Sequence, residues 1–167
     1  MARAAVRQPS AAPSPGDTPE RWPSRECSAS RFVHMTVVYE WRGRFDNAEV
    51  NALHAEAFDH RLLEDDWHSQ VHTYSLGWVC GRRAGRLVGF ANVAWDGGVH
   101  AFILDTIVSL DARREGIGRE LVAAAVARTR ETGCCEWLHV DFEAHLRPFY
   151  FDACGFKPTD AGLIALR

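Results

Sequence analysis

Lysine is almost missing from this chain. Lys157 is the only one, and arginine supplies nearly all the positive charge. That bias follows codon usage as readily as physics. An excess of basic charge is also missing: the formal net charge is −3. Without a basic field, nucleic acid is not an expected partner. No apolar run is long enough to span a bilayer, so no membrane partner is expected. The N-terminus lacks the apolar core of a secretory signal. The five cysteines (Cys27, Cys80, Cys134, Cys135 and Cys154) are an odd count without metal-ligand spacing. They read as reduced thiols of a cytoplasmic protein, with no metal expected. Cys134 and Cys135 follow Gly133 at a helix end, where burial is the plain explanation. There is no internal repeat. What remains is ordinary for one globular domain: 167 residues, 47% hydrophobic and 25% charged.

Residues 1–34 are rich in Ala, Pro, Ser and Arg and carry no apolar periodicity. Such a segment buries too little surface to offset its ordering entropy, so a disordered extension is expected. Asp17, Glu20 and Glu26 argue against a transit peptide. The folded domain is expected over 35–167.

From Met35 onward the pattern alternates. "MTVVYEW" (35–41) reads as a strand. "FDNAEVNALHAEAF" (45–58) reads as a helix with Val50, Leu53, Ala57 and Phe58 near one face. Residues 62–75 read as a second helix, and 77–95 as a hairpin around "RRAG". "HAFILDTIVSL" (100–110) is more apolar and therefore a more central strand. Residues 116–133 form the strongest helix pattern, ending on Gly133. A strand (135–142), a short helix (147–154, with Pro148 in its first turn) and a terminal hairpin from "GFKP" and "GLIAL" complete the order. This is a mixed α/β sheet with helices over it.

The turn "RREGIG" joins the central strand to the strongest helix. The first amides of a helix lack intrahelical partners, and the helix dipole adds positive charge there. Gly116 and Gly118 let a ligand approach bare main chain. Arg113, Arg114 and Arg119 flank the turn with forked donors. A phosphate site and a simple tight turn both fit these residues. A Walker loop does not, because it needs a lysine. A dinucleotide fingerprint fails as well, since Leu121 stands where it needs Gly or Ala.

The stretch "VSLDARREGIG" resembles the GNAT family of acetyl-CoA-dependent N-acetyltransferases. Val108, Arg113, Gly116 and Gly118 match its Arg/Gln-x-x-Gly-x-Gly/Ala signature after a central strand ending in Val. The element order from about residue 35 and the "FY…CGF" junction also match. The resemblance implies a mixed, mostly antiparallel central sheet of about seven strands flanked by about four helices. It implies acetyl-CoA as cosubstrate. The pyrophosphate would sit on the backbones of Arg114, Glu115, Gly116, Ile117, Gly118 and Arg119, with Arg113 opening the signature. The pantetheine arm would pair with Ile107, Val108 and Ser109. A backbone N–H near Val108 would polarise the thioester carbonyl.

The implied reaction is direct attack of an amine on the thioester, which needs a base and gains from an acid. The family's usual acid is a tyrosine on the helix after the next strand. Tyr150 is the candidate, but it stands five residues before Gly155 rather than four. One residue on an α-helix is a rotation of about 100°. Either an additional residue at the junction restores its direction, or Phe149, Tyr150 and Phe151 are core aromatics. For the base, Asp105 interrupts the apolar "FILDTIV", as a paired, structural or functional carboxylate would. His139 and Asp141 share a face of the neighbouring strand, and Glu143 follows at a loop that touches the coenzyme in relatives. His68 and His72 are spaced i,i+4, and Cys154 reads as helix-end packing. Glu64, Asp65 and Asp66 suit a cationic amine, although a charge run is usually a solvated face.

The expected function is acetyl transfer to a primary amine of a small polyamine- or aminoglycoside-like acceptor, with a protein or peptide amine second. A non-catalytic acyl-CoA-binding or regulatory module on the same fold is the alternative. Dimers are common among relatives, so a homodimer is within expectation.

Overall fold

The structure, a computed structural model, describes residues 36–166. The disorder expected of 1–34 lies outside them, as does Cys27. Five strands form one sheet in the order β1-β2-β3-β4-β5. These are β1 (Val38–Trp41), β2 (Ser75–Arg83), β3 (Arg86–Trp95), β4 (His100–Val108) and β5 (Trp137–Val140). The first three pairings are antiparallel and β4–β5 is parallel. The β2–β3 turn is Ala84-Gly85, both at positive φ, which is the two-residue geometry that matches strand twist.

Helices α1 (Asn47–Phe58) and α2 (Trp67–Tyr74) cover one face of the sheet, and α3 (Ile117–Thr132) covers the other. Asp66 accepts from the Ser69 amide at 3.1 Å, and this cap starts α2 at Trp67 rather than at 62. Beneath α3, Ile117, Leu121, Val122 and Ala125 pack on Val79, Val88, Ala91 and Ile103. Leu121 is fully buried, and truncating it to Ala would cost about 2–5 kcal/mol. Under α1 and α2, Val50, Leu53, Trp67 and Val71 pack on Trp78, Cys80, Phe90 and Ile107. Phe58, expected on that buried face, is 55% exposed, and Asn51 is buried instead. Asn51 holds its place through hydrogen bonds to Asp65 and to the Trp67 indole.

The expected terminal hairpin is corrected. Residues 155–166 form no strand, and Leu163, Ile164 and Leu166 are more than four-fifths exposed. "PTDAG" is turn-forming sequence, and a short two-stranded hairpin is not stable without a sheet to join. The sheet therefore has five described strands rather than about seven.

Candidate active site

The site is built by a bulge in β4. Phe90 pairs with Ile107, but Asn92 pairs with Leu104, so Asp105 and Thr106 together oppose Ala91. Asp105 takes φ +51°, a left-handed conformation that a short polar side chain adopts at modest cost. The extra residue changes which face the side chains meet. Ala101 and Ile103 pack in the α3 layer. Asp105 faces α1, Thr106 faces the Tyr150 side chain, and Ile107 joins the α1–α2 layer.

The bulge also ends the pairing with β5. Only His100–Ile103 pair with Trp137–Val140, so β4 beyond Leu104 presents a free edge. The direction of its amides follows from one bond. Ser109 N donates to Val88 O at 3.0 Å. In an antiparallel ladder bonded pairs alternate, so Phe90–Ile107 is the next bonded pair and Gly89–Val108 is not. The Val108 N–H and C=O thus point away from β3, into the opening between β4 and β5. The carbonyl agrees: Val108 O accepts from Arg113 Nε at 3.2 Å. Of the expected coenzyme-edge residues, only Val108 offers a free main-chain N–H. Ile107 is bonded to β3, and Ser109 is buried with its hydroxyl on Asp111.

The glycine turn follows directly. Arg114 and Gly116 lie at φ +66° and +85°, and Gly116 is the N-cap of α3. No side chain caps this helix. Among the described residues, none of the amides of Arg114 to Arg119 donates to a protein acceptor. They form a concave row of bare donors at a helix N-terminus. A Cβ on Gly118 would meet the Phe149 ring at 3.3 Å, so only glycine fits without displacing it. The guanidinium groups divide. Arg113 is spent on the carbonyls of Val108 and Ala57, and Arg119 on Glu120. Arg83 pairs with Glu115. Arg114 is exposed and has no partner among the described residues.

Tyr150 stands beside Thr106, in the core layer under α3. Its displacement from the expected spacing has a structural cause: Pro148–Ala153 is a π turn, with Cys154 N donating to Phe149 O at 3.0 Å. A π turn takes up one residue more than an α turn, so it absorbs the additional position. Tyr150 is 6% exposed and stacks on Phe142 at 4.6 Å, with Phe149 and Phe156 edge-on. Burial pushes its phenol above the usual range, which keeps it protonated. Phe151 lies elsewhere, under the Arg147 guanidinium.

On the α1–α2 face, Asp105 meets His54 of α1, with Nε2 to Oδ1 at 3.8 Å. Burial raises the Asp105 carboxyl, opposed by His54 and by Asn92. Burial likewise lowers His54, opposed mainly by Asp105. Phe102 and Leu104 alternate with the buried Ala101 and Ile103, so they form an open apolar floor beside this pair. His139 stacks on Phe102 at 4.8 Å, and its Nε2 is hydrogen-bonded to His100 Nδ1 at 2.8 Å. Asp141 lies past the end of β5, exposed. Glu143 reaches only His145, at 3.2 Å. His68 bonds Phe45 O, and His72 bonds His68 O, so both serve local packing. Asp66 caps α2 and accepts from Asn47, which accounts for part of the acidic run. Cys154 is half-buried at the helix end.

Reading the sequence singled out Asp105, Tyr150 and the turn but missed His54. The only signal was a histidine near the buried stripe of α1, at the expected acceptor helix. Among the described residues no helix is long and apolar enough to cross a membrane, and no group of three or more metal-type side chains gathers.

No curated protein matches the chain at a significant level. A Trypanosoma brucei acetyltransferase is 18% identical with a TM-score of 0.66, over 78% of this chain and 99% of that one. Glucosamine-6-phosphate N-acetyltransferase from Arabidopsis thaliana is 13% identical, TM-score 0.62, over 77% and 97%. Aminoglycoside N-acetyltransferase AAC(6')-Iy in complex with CoA is 15% identical, TM-score 0.62, over 79% and 95%. At these identities the likeness is one of fold. The model of the acetyltransferase (GNAT) family matches residues 35–156, and the chain belongs to that family.

Proposed function

We propose that this protein transfers the acetyl group of acetyl-CoA to a primary amine of a small, cationic acceptor. The observation that carries this reading is the meeting of three features at one end of β4. The uncapped amides at the start of α3, the outward Val108 amide and the Tyr150 phenol beside Thr106 all lie along the last residues of β4 and the turn that follows it.

Acetyl-CoA supplies the activated acyl group and the thiol leaving group. The Arg114–Arg119 amides hold its phosphates, with the Arg114 side chain as the free cation beside them. Val108 N–H steadies the negative charge that develops on the carbonyl oxygen. Tyr150 donates toward the departing sulfur. Asp105, on the α1 face, receives the proton of the incoming amine. The open floor of Phe102, Leu104 and His139 accepts a small apolar or ring-shaped body beside one carboxylate. Aminoglycoside- and polyamine-like amines fit that chemistry, and the AAC(6')-Iy likeness supports it. The non-catalytic alternative rested on the displaced tyrosine, and the π turn weighs against it.

The test is thiol release from acetyl-CoA in the presence of aminoglycosides, polyamines and peptides. Turnover with the first two and little with peptides is expected. Coenzyme binding without turnover on any of them would contradict the catalytic reading.

A further inference from the structure

We propose that His54 and Asp105 act together as one shared-proton base for the acceptor amine, with His60 holding His54 in the tautomer this requires. The proposal rests on the acetyl-transfer reading and adds two residues to it.

The argument runs along a chain of atoms. His60 Nδ1 lies 2.6 Å from the Arg61 carbonyl oxygen. A carbonyl only accepts, so His60 carries its proton on Nδ1, and its Nε2 is a bare acceptor in the neutral ring. His54 Nδ1 lies 2.7 Å from that Nε2 and must therefore donate. This fixes the His54 tautomer. Its own Nε2 is bare, and it faces Asp105 Oδ1 at 3.8 Å. Two proton acceptors confront each other with no proton between them. The gap is too wide for a direct hydrogen bond. An ammonium nitrogen, however, can stand within hydrogen-bond distance of both atoms at once.

Packing makes the arrangement specific. Asp105 is placed by the bulge, with Asn92 of β3 beside it. The rings of Phe58 and Trp67 lie 4.6 and 5.3 Å from the His54 ring, limiting water. The titratable groups acting on His54 are Asp105 of β4, and His60 and Asp65 of the α1–α2 connection. On the opposite face of the same bulge, Thr106 meets Tyr150. Base and acid thus flank the strand whose Val108 amide faces the carbonyl.

The protons balance. An ammonium loses two protons on becoming an amide. His54 and Asp105 take the first before attack and release it to solvent. The nitrogen lone pair then forms the C–N bond and the C–S bond breaks, with the Tyr150 phenol hydrogen-bonded to the departing sulfur. The second N–H proton neutralises the thiolate and gives the free thiol.

The experiment follows thiol release from acetyl-CoA against pH, with neamine and spermidine as probes, in wild type, His54→Gln, Asp105→Asn and His60→Asn. Ring-nitrogen NMR of the wild type accompanies it. His54→Gln is expected to lower kcat about 100- to 1,000-fold, to abolish the rise of kcat with pH, and to leave acetyl-CoA affinity unchanged. His60→Asn, a positioning change, should shift the pH inflection with a smaller loss. NMR should place the His54 proton on Nδ1 at pH 8.5, a readout that stands even if a variant folds poorly. Wild-type kcat and pH profile in His54→Gln, or a proton on His54 Nε2, would overturn the proposal alone. No thiol release by the wild type with any amine would overturn it together with the acetyl-transfer reading.

Discussion

Replacing Tyr150 with Phe removes one oxygen and leaves the ring. The stack on Phe142 and the contacts with Phe149 and Phe156 remain. The lost hydroxyl stands beside Cys154 and Thr106, and the Thr106 hydroxyl is buried without a hydrogen-bond partner. Stability should therefore change by no more than about 1 kcal/mol, a few degrees in Tm. The catalytic effect is larger and can be bounded. Burial holds the Tyr150 phenol above the usual tyrosine value of about 10, whereas a departing thiolate has a pKa near 8.5. Full proton transfer is uphill by about 2 kcal/mol or more. The phenol thus acts chiefly as a hydrogen bond that strengthens as the C–S bond breaks. That sets the loss at the lower end for an acid, about 100-fold in kcat or roughly 2.7 kcal/mol. Steady-state thiol release at saturating acetyl-CoA measures it, with thermal melting as the control. Wild-type kcat in Tyr150→Phe would refute the reasoning and make the residue packing. Phe151→Tyr should change nothing, because Phe151 lies under Arg147 rather than at the opening.

Other outcomes follow from the same geometry. Gly118→Glu should abolish acetyl-CoA binding in calorimetry, since its side chain meets Phe149 and sets a negative charge among the phosphate donors. Arg114→Ala should weaken binding and flatten its salt dependence, whereas Arg113→Ala should chiefly lower Tm, because Arg113 is committed to two carbonyls. Asp105→Asn should raise Tm at pH 7. The folded carboxyl is held above its unfolded value of 3.8, so the native state binds more protons and loses stability as pH rises through that window. Asn removes this penalty, and the pH-dependent part of the gain should vanish in melts below about pH 3.5. Any gain from Asn at φ +51° is independent of pH and separates out.

The sequence showed the site's main-chain parts more clearly than its side-chain parts. Two glycines between an apolar strand and a long helix can be read directly, because backbone geometry demands them. Asp105 was visible as a charge in an apolar run, but its bulge was not, since a register shift depends on the partner strand. The π turn was visible only as a tyrosine one residue out of place. His54 escaped because its meeting with Asp105 depends on how α1 crosses β4. His60 depends in turn on the left-handed turn at Asp59, φ +52°. The terminal hairpin failed for the opposite reason: alternation in "GLIAL" is local, whereas a strand needs a neighbour.

The most direct test of the central claim is a calorimetric titration of wild-type protein with acetyl-CoA, with Gly118→Glu alongside. One coenzyme bound per chain, lost in the variant, is the predicted result. No binding by a folded wild type would contradict it, leaving "RREGIG" as a tight turn and the family resemblance as one of fold alone.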